Sequence, residues 1–490
     1  MQNSHKDPSG RKSGTSDRKR VGIIGAGPAG MTAGYILSKS DGYETCILEK
    51  TGSVGGMARS FSLFGRIVDL GPHRFFSSDP RVNKLWLEVV GDRYRMVDRT
   101  TRVFFRNRFF RYPIMPMDVL SKLGLLETCR CILSFVHSRL RPRASEDTFE
   151  DWVVNKFGRR LYSLFFKSYT EKLWGMPTDR LSSDFAKQRI RKLSLGESII
   201  TSFGLKKNKH KTLVDRFAYP LHGNGYPYER MRDSILANGG SIRFSVGVKS
   251  IERIGESYVV GFDDGSETEF DHLVSSMPID GFFKSFKHSL PDVLNAAGNL
   301  RFRNTILAYV NLSVEGLFVD QWLYIQELSV LTGRITNFNN WVPEIRNGVK
   351  GTLLALEYWC FEEDEIWGMS DSRLLEIVKS DLVKCGFIDS EGSVEGFHVV
   401  RVNKCYPVYV DDYKRDLETV VKFASGFPNL QLVGRYGSFK YNNQDHSILM
   451  GYLAARNILY GEGNDLWEIN NDYEYHESSK ITSTGLSMGG

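Results

Sequence analysis

Gly25-Ala26-Gly27-Pro28-Ala29-Gly30 is the stretch on which the reading of this chain turns. An apolar run, residues 21–24, leads into it, and residues 31–38 continue from it with helical composition, Ala33, Ile36 and Leu37 being apolar. A G-x-G-x-x-G pattern between a strand and a helix predicts a dinucleotide-binding turn. Gly25 permits the tight turn, Gly27 lets the backbone approach a pyrophosphate, and Gly30 lets helix and strand pack closely. The helix N-terminus, beginning near Ala29, adds unpaired N–H groups and a positive dipole end. A second strand over 44–48 runs into Glu49 and Lys50. An acid about 20 residues beyond the turn is placed to bind a ribose hydroxyl.

A second glycine cluster follows at once: Gly52, Gly55 and Gly56, then Met57, Ala58 and Arg59. A bare nicotinamide site has no use for it. A chain running back along the pyrophosphate and ribityl of FAD does, so the cofactor is read as FAD and the fold as the glutathione-reductase type. Near the other end, Gly434-Arg435-Tyr436-Gly437-Ser438 leads to Asn443-Gln444-Asp445-His446-Ser447. This glycine-rich approach to a helix is placed to close over a flavin, so both ends of the chain are expected on one cofactor. Val248, in a strand-like stretch, is the expected backbone partner of adenine.

The fold class expected is α/β: a Rossmann-like FAD-binding domain with an inserted helical domain and a second, antiparallel sheet forming a substrate domain. The 490 residues divide on this reading into a basic tail (1–18), FAD-binding segments (19–105, 205–280, 415–465), a helical domain (106–204), a sheet domain (281–414) and a polar tail (466–490). Helices are expected over 149–166 and 182–193, and strands over 242–251, 258–262, 272–276, 305–312, 352–358, 396–402 and 430–433. Residues 205–211 read as a basic loop.

The formal net charge is +6, and residues 1–20 hold six Lys/Arg against two Asp. The remainder is close to balance, which argues against a nucleic-acid-binding face. The tail lacks the apolar core of a secretory signal, and the six cysteines show neither a C-x-x-C pair nor zinc spacing. Reduced thiols, no metal and a cytoplasmic location are expected. The most apolar helical stretch, 119–140, is interrupted by Lys122, Glu127, Arg130 and Arg139, so no segment is expected to span a membrane.

The C-terminal motif resembles the flavin-capping segment of the eukaryotic-type UDP-galactopyranose mutases, with Tyr441 inside it. Further stretches agree in order. Gly71-Pro72-His73 resembles the segment passing the reactive edge of the flavin. Residues 169–177, with Lys172 and Trp174, resemble the helix carrying a tryptophan over the sugar. Gln188-Arg189-Ile190 and Gly333-Arg334-Ile335 match the two diphosphate-binding arginines, and Tyr324 and Tyr406 match two diphosphate-binding tyrosines. Guanidinium forks suit phosphate oxygens, and tyrosine hydroxyls add neutral donors.

The resemblance implies a pyranose–furanose mutase of a nucleotide sugar, reduced FAD attacking the anomeric carbon through N5 while Arg189 and Arg334 hold the diphosphate. NADPH is the reductant it suggests, and the oligomeric state is left open. His73 joins the two arginines as a catalytic candidate. Tyr112, Trp174, Tyr324, Trp341, Tyr406, Tyr441 and Asn443 form the substrate set. Gly71, Pro72, His73, Gly434, Arg435, Asp445, His446 and Ser447 join the cofactor set. The sequence departs from the pattern at Met115, Thr170, Ser78 and Trp341, positions around the sugar and base rather than the phosphates. The same fold signal is shared with amine oxidases and protoporphyrinogen oxidases, so an FAD-dependent oxidoreductase of that type is the rival reading.

Overall fold

Val21, Ile23 and Ile24 are buried, as a run covered on both sheet faces must be. In the structure, a computed structural model, they belong to the central strand Lys19–Ile24 of a five-stranded parallel sheet. The structure describes residues 18–112, 114, 116–190, 216–389, 393–410 and 412–470. The expected basic loop and almost all of both expected tails lie outside them.

The sheet order is Leu430–Leu432, His272–Ser275, Lys19–Ile24, Tyr43–Leu48, Ser241–Arg243. Its strands come from the beginning, the middle and the end of the chain, so it closes only when distant segments return. The helices Pro28–Leu37 and Gln444–Tyr460 pack on each other and bury Ala33, Leu37, Met450 and Ala454 in one core. An antiparallel meander, Val248–Ile254, Ser257–Phe262 and Glu267–Phe270, lies beside this unit.

The second large sheet has seven strands, in the order Val394–Pro407, Phe302–Leu312, Thr352–Cys360, Arg334–Asn337, Trp322–Ile325, Thr101–Phe105, Arg108–Arg111. It corrects the expectation of an antiparallel sheet: Trp322–Ile325 pairs in parallel with Thr101–Phe105. That strand also belongs here, although the sequence reading left it with the cofactor unit. The hairpin Thr101–Phe105/Arg108–Arg111 extends the sheet edge, which local sequence does not announce.

A helical layer, Pro116–Leu123, Leu125–Leu140, Phe149–Phe157, Arg159–Phe165, Lys167–Trp174 and Ser183–Ile190, packs on itself and against the seven-stranded sheet. The single helix expected over 149–166 is broken at Gly158. There φ is +85°, and a Cβ would sit 2.7 Å from the Phe135 backbone nitrogen of the crossing helix. Only glycine permits both the turn and this approach.

Candidate active site

The first glycine turn has the geometry its motif requires. Gly25 has φ +97°, and a Cβ on Gly30 would lie 2.0 Å from the Gly25 carbonyl oxygen. Glu49 is held against the turn. Its Oε2 accepts from the Ala26 N–H at 2.8 Å, and its Oε1 accepts from both the N–H and the hydroxyl of Thr51 at 2.8 Å. The second glycine cluster folds onto the first, Gly55 N–H donating to Ala26 O at 2.8 Å. A Cβ on Gly56 would be 3.0 Å from Gly27 Cα. Two bare backbone turns thus face a shared space, flanked by the N-terminus of Pro28–Leu37.

A cavity of about 1050 Å³ opens there. Gly25, Gly27, Ala29, Glu49 and Lys50 line its cradle end, with Gly56, Met57, Ala58, Arg59 and Val248. Pro72, His73, Gly434, Arg435, Asn443, His446 and Ser447 line it further along. Asn443 N-caps Gln444–Tyr460, and its N–H donates to His446 Nδ1 at 3.1 Å in a capping box. Two helix N-termini, from opposite ends of the sequence, therefore border one cavity, each adding positive potential. Gly30, Gly71 and Asp445 do not line it. Gly30 acts through close packing, and Asp445 is buried in the first turn of its helix. The cradle fits FAD: bare backbone would take the pyrophosphate and Glu49 the ribose, with Arg59 on the same cavity wall.

The seven-stranded sheet forms another wall of the cavity, through Val103, Trp322, Tyr324, Arg334 and Val402. Antiparallel register sets Tyr324 opposite Arg334 and Arg334 opposite Glu357, so the three side chains form one row across three strands. Arg334 donates to both carboxylate oxygens of Glu357, Nε and Nη2 each at 2.6 Å. Its Nη2 also lies 3.3 Å from the Tyr406 hydroxyl. Burial is the strongest single influence and opposes the charge, but Glu357, Tyr406 and Tyr169 together hold the guanidinium well above its ordinary pKa.

Tyr406 stacks on Tyr441 with centroids 5.3 Å apart, and Arg435 lies over both rings. Arg435 is itself fixed through the Asn442 and Cys405 carbonyl oxygens. Tyr112 and Tyr169 contact the Tyr324 ring at 5.0 and 5.3 Å. Arg334, Tyr112, Tyr324 and Tyr441 line the large cavity. Tyr406 lines a smaller one, about 100 Å³, bordered by the same Arg334, Tyr441 and His73.

The His73 ring is half-buried in the wall shared by the two cavities. Burial, then the Arg435 and Arg334 charges, press its pKa down to about 3. The imidazole is neutral at ordinary pH, and its Nδ1 has no hydrogen-bond partner among the described residues.

Two expectations are corrected. Trp174 does not line the cavity. It is completely buried behind it, edge-on to Phe185 at 4.8 Å and to Tyr406 and Tyr441 at 6.4 and 6.3 Å. Its large apolar surface is satisfied by supporting those tyrosines. Trp341 likewise packs on Trp322 at 6.0 Å and on Phe217 and Tyr219, in the core. Arg189 falls in the last turn of Ser183–Ile190, and its side chain lies outside the described residues.

The sequence reading missed Glu357, Arg74, Arg99 and Tyr169. Glu357 had a signal, being the single acid in the wholly buried strand Thr352–Cys360. Arg74, over Phe76 and Trp322, and Arg99, beside Tyr112, had none. Lys172, read only as part of a resembling helix, reaches the carbonyl oxygens of Glu327 at 2.6 Å and Thr332 at 3.3 Å. It ties together the connection between the strands that carry Tyr324 and Arg334. Burial lowers its pKa to about 8.

A Rossmann-type cradle joined to a roofed cavity defines a flavoprotein. The flavin-containing amine oxidoreductase family matches residues 28–459; the chain belongs to this family, and its cofactor is FAD. Coproporphyrinogen III oxidase of Staphylococcus aureus is 24% identical, over 90% of this chain and 99% of its own. A Klebsiella pneumoniae protein named "Probable UDP-galactopyranose mutase" is 27% identical over 35% of this chain and 45% of its own. The crystal structure of reduced UDP-galactopyranose mutase superposes with TM-score 0.79 at 21% identity, covering 93% of this chain and 98% of that one.

Proposed function

We propose that the chain is a flavin-dependent mutase that interconverts pyranose and furanose forms of a nucleoside-diphosphate sugar, like UDP-galactopyranose mutase. The observation that carries this reading is the largely buried Arg334, held by Glu357 and set beside Tyr324, Tyr406 and Tyr441 on the wall that the seven-stranded sheet gives the cavity. A buried guanidinium beside neutral hydroxyl donors suits a second phosphorylated group.

Bound FAD, when reduced, supplies the nucleophile for the anomeric carbon. Arg334, with Arg189 assigned the partner role by resemblance, holds the diphosphate as the anomeric bond breaks. That retention stabilises developing charge and keeps the leaving group oriented for return. Glu357 fixes the plane of the guanidinium before substrate arrives. His73, kept neutral, orients a sugar hydroxyl without adding a competing cation.

A second reading is an oxidoreductase of the porphyrinogen oxidase type. It is favoured by the helical wall of the same cavity, where Phe157, Leu161, Phe165, Phe166 and Leu173 present apolar surface, and by the near full-length oxidase relative.

The test is turnover of UDP-galactopyranose by dithionite-reduced protein, read as an isomer of identical mass with no oxygen uptake. Arg334→Ala should lower it roughly a hundredfold or more while the protein stays yellow. Oxygen uptake with a porphyrinogen, and no isomer from any nucleotide sugar, would overturn the mutase in favour of the second reading.

A further inference from the structure

The Leu125–Leu140 helix is turned inside out relative to an ordinary surface helix. Its narrow inner face, with Cys131 and Ser138 buried, packs on Phe149–Phe157 and Arg159–Phe165. Its outer face is apolar: Leu125, Leu126, Ile132, Leu133, Val136 and Leu140 are exposed, from 45% at Val136 to 78% at Leu140. At 100° per residue these six side chains and the exposed Cys129 fall within an arc of about 120°, one unbroken stripe.

Charge is arranged around the stripe. Arg139 lies just beyond one edge, Arg130 and His137 beyond the other, and all three are exposed. The helix has a single acid, Glu127, which is mostly buried on the inner side and bound to Arg160 at 2.9 Å. It also lies 3.9 Å from Arg130, so it is shared between two arginines, and the border that carries Arg139 has no acid of this helix beside it. No described helix is long and apolar enough to cross a membrane.

We propose that this helix lies in the interface of an anionic lipid bilayer, its leucine stripe among the acyl chains and Arg130 and Arg139 at the headgroups. Apolar burial with flanking arginines is the recognition pattern of in-plane membrane helices. A second copy of the chain fits less well, since a symmetric contact would set basic borders near basic borders. The same helix backs the apolar wall of the cavity, so the bilayer would adjoin the helical side of the site.

The test is co-sedimentation of the FAD-loaded protein with vesicles of phosphatidylcholine alone and of phosphatidylcholine mixed with phosphatidylglycerol. Binding should favour the anionic vesicles and weaken with salt. Leu126→Glu with Leu133→Glu should reduce it roughly tenfold or more. Arg130→Gln and Arg139→Gln should each reduce it roughly fivefold, and only on anionic vesicles. All these positions are exposed, so flavin absorbance and melting temperature should be unchanged in every variant. Absence of binding to either vesicle overturns the proposal, as does binding unaffected by the leucine substitutions. A concentration-dependent dimer abolished by the leucine substitutions, without vesicle binding, would assign the face to a second copy.

Discussion

Glu357 governs Arg334, and a cavity holding a guanidinium without that carboxylate would be a different site. Removing one partner of a buried pair costs about 3–5 kcal/mol, because the remaining charge is left uncompensated. Glu357→Gln should therefore lower unfolding free energy by that order in denaturant titration, and Glu357→Asp by less. His73 and Asp69 make opposing contributions to the response to pH. Asp69 is fully enclosed, and burial raises its pKa to about 6 despite bonds from Ser60, Tyr219 and Asn224. Its contribution to stability is complete below the ordinary carboxylate range and is lost as pH rises through 6. The His73 contribution is complete above the ordinary imidazole value of 6.5 and is lost as pH falls toward 3, by up to about 1.4 kcal/mol per pH unit. Asp69→Asn should steepen the loss of stability on acidification from pH 7 to pH 4, and His73→Asn should reverse or flatten it. Identical slopes in urea unfolding would contradict both assignments. At this scale the sequence was legible in position where chemistry demands a residue type: Glu49 and Arg334 both line the cavity. It was not legible for Trp174 and Trp341, whose directions are set by neighbours arriving from distant strands.

The glycine turns are the elements on which the cofactor end depends. A methyl on Gly30 would overlap the Gly25 carbonyl oxygen, so Gly30→Ala should separate strand from helix and leave the protein without its 450 nm flavin band. Gly158→Ala acts on the helical layer instead. It forces a Cβ into a left-handed position against the Phe135 backbone and should destabilise by about 2–3 kcal/mol with little change in flavin per folded molecule. The two turns differ in how openly the sequence displays them. The first is punctuated by a motif with one physical solution. The second is one glycine in an otherwise helical run, and only the crossing helix explains it. The pairing of Trp322–Ile325 with Thr101–Phe105 was illegible for the same reason: parallel neighbours more than 200 residues apart leave no local mark.

Across the whole molecule, the cavity is bordered by Pro28–Leu37 from one end of the chain and Gln444–Tyr460 from the other. A ligand bound only by the folded state stabilises it by mass action, about 2.7 kcal/mol at a hundredfold excess over its dissociation constant. Stripping FAD should therefore raise hydrogen exchange in the first turns of both helices together and spare the seven-stranded sheet. Loss of protection in one helix alone would separate the two ends.

The row of Tyr324, Arg334 and Glu357 has one more consequence. Its members belong to strands held by main-chain pairing, and none of them comes from the glycine turns. Evolution can therefore exchange these side chains one at a time while the nucleotide cradle is inherited intact. Lineages that share this architecture can part ways in substrate by repainting a few tiles of the ceiling.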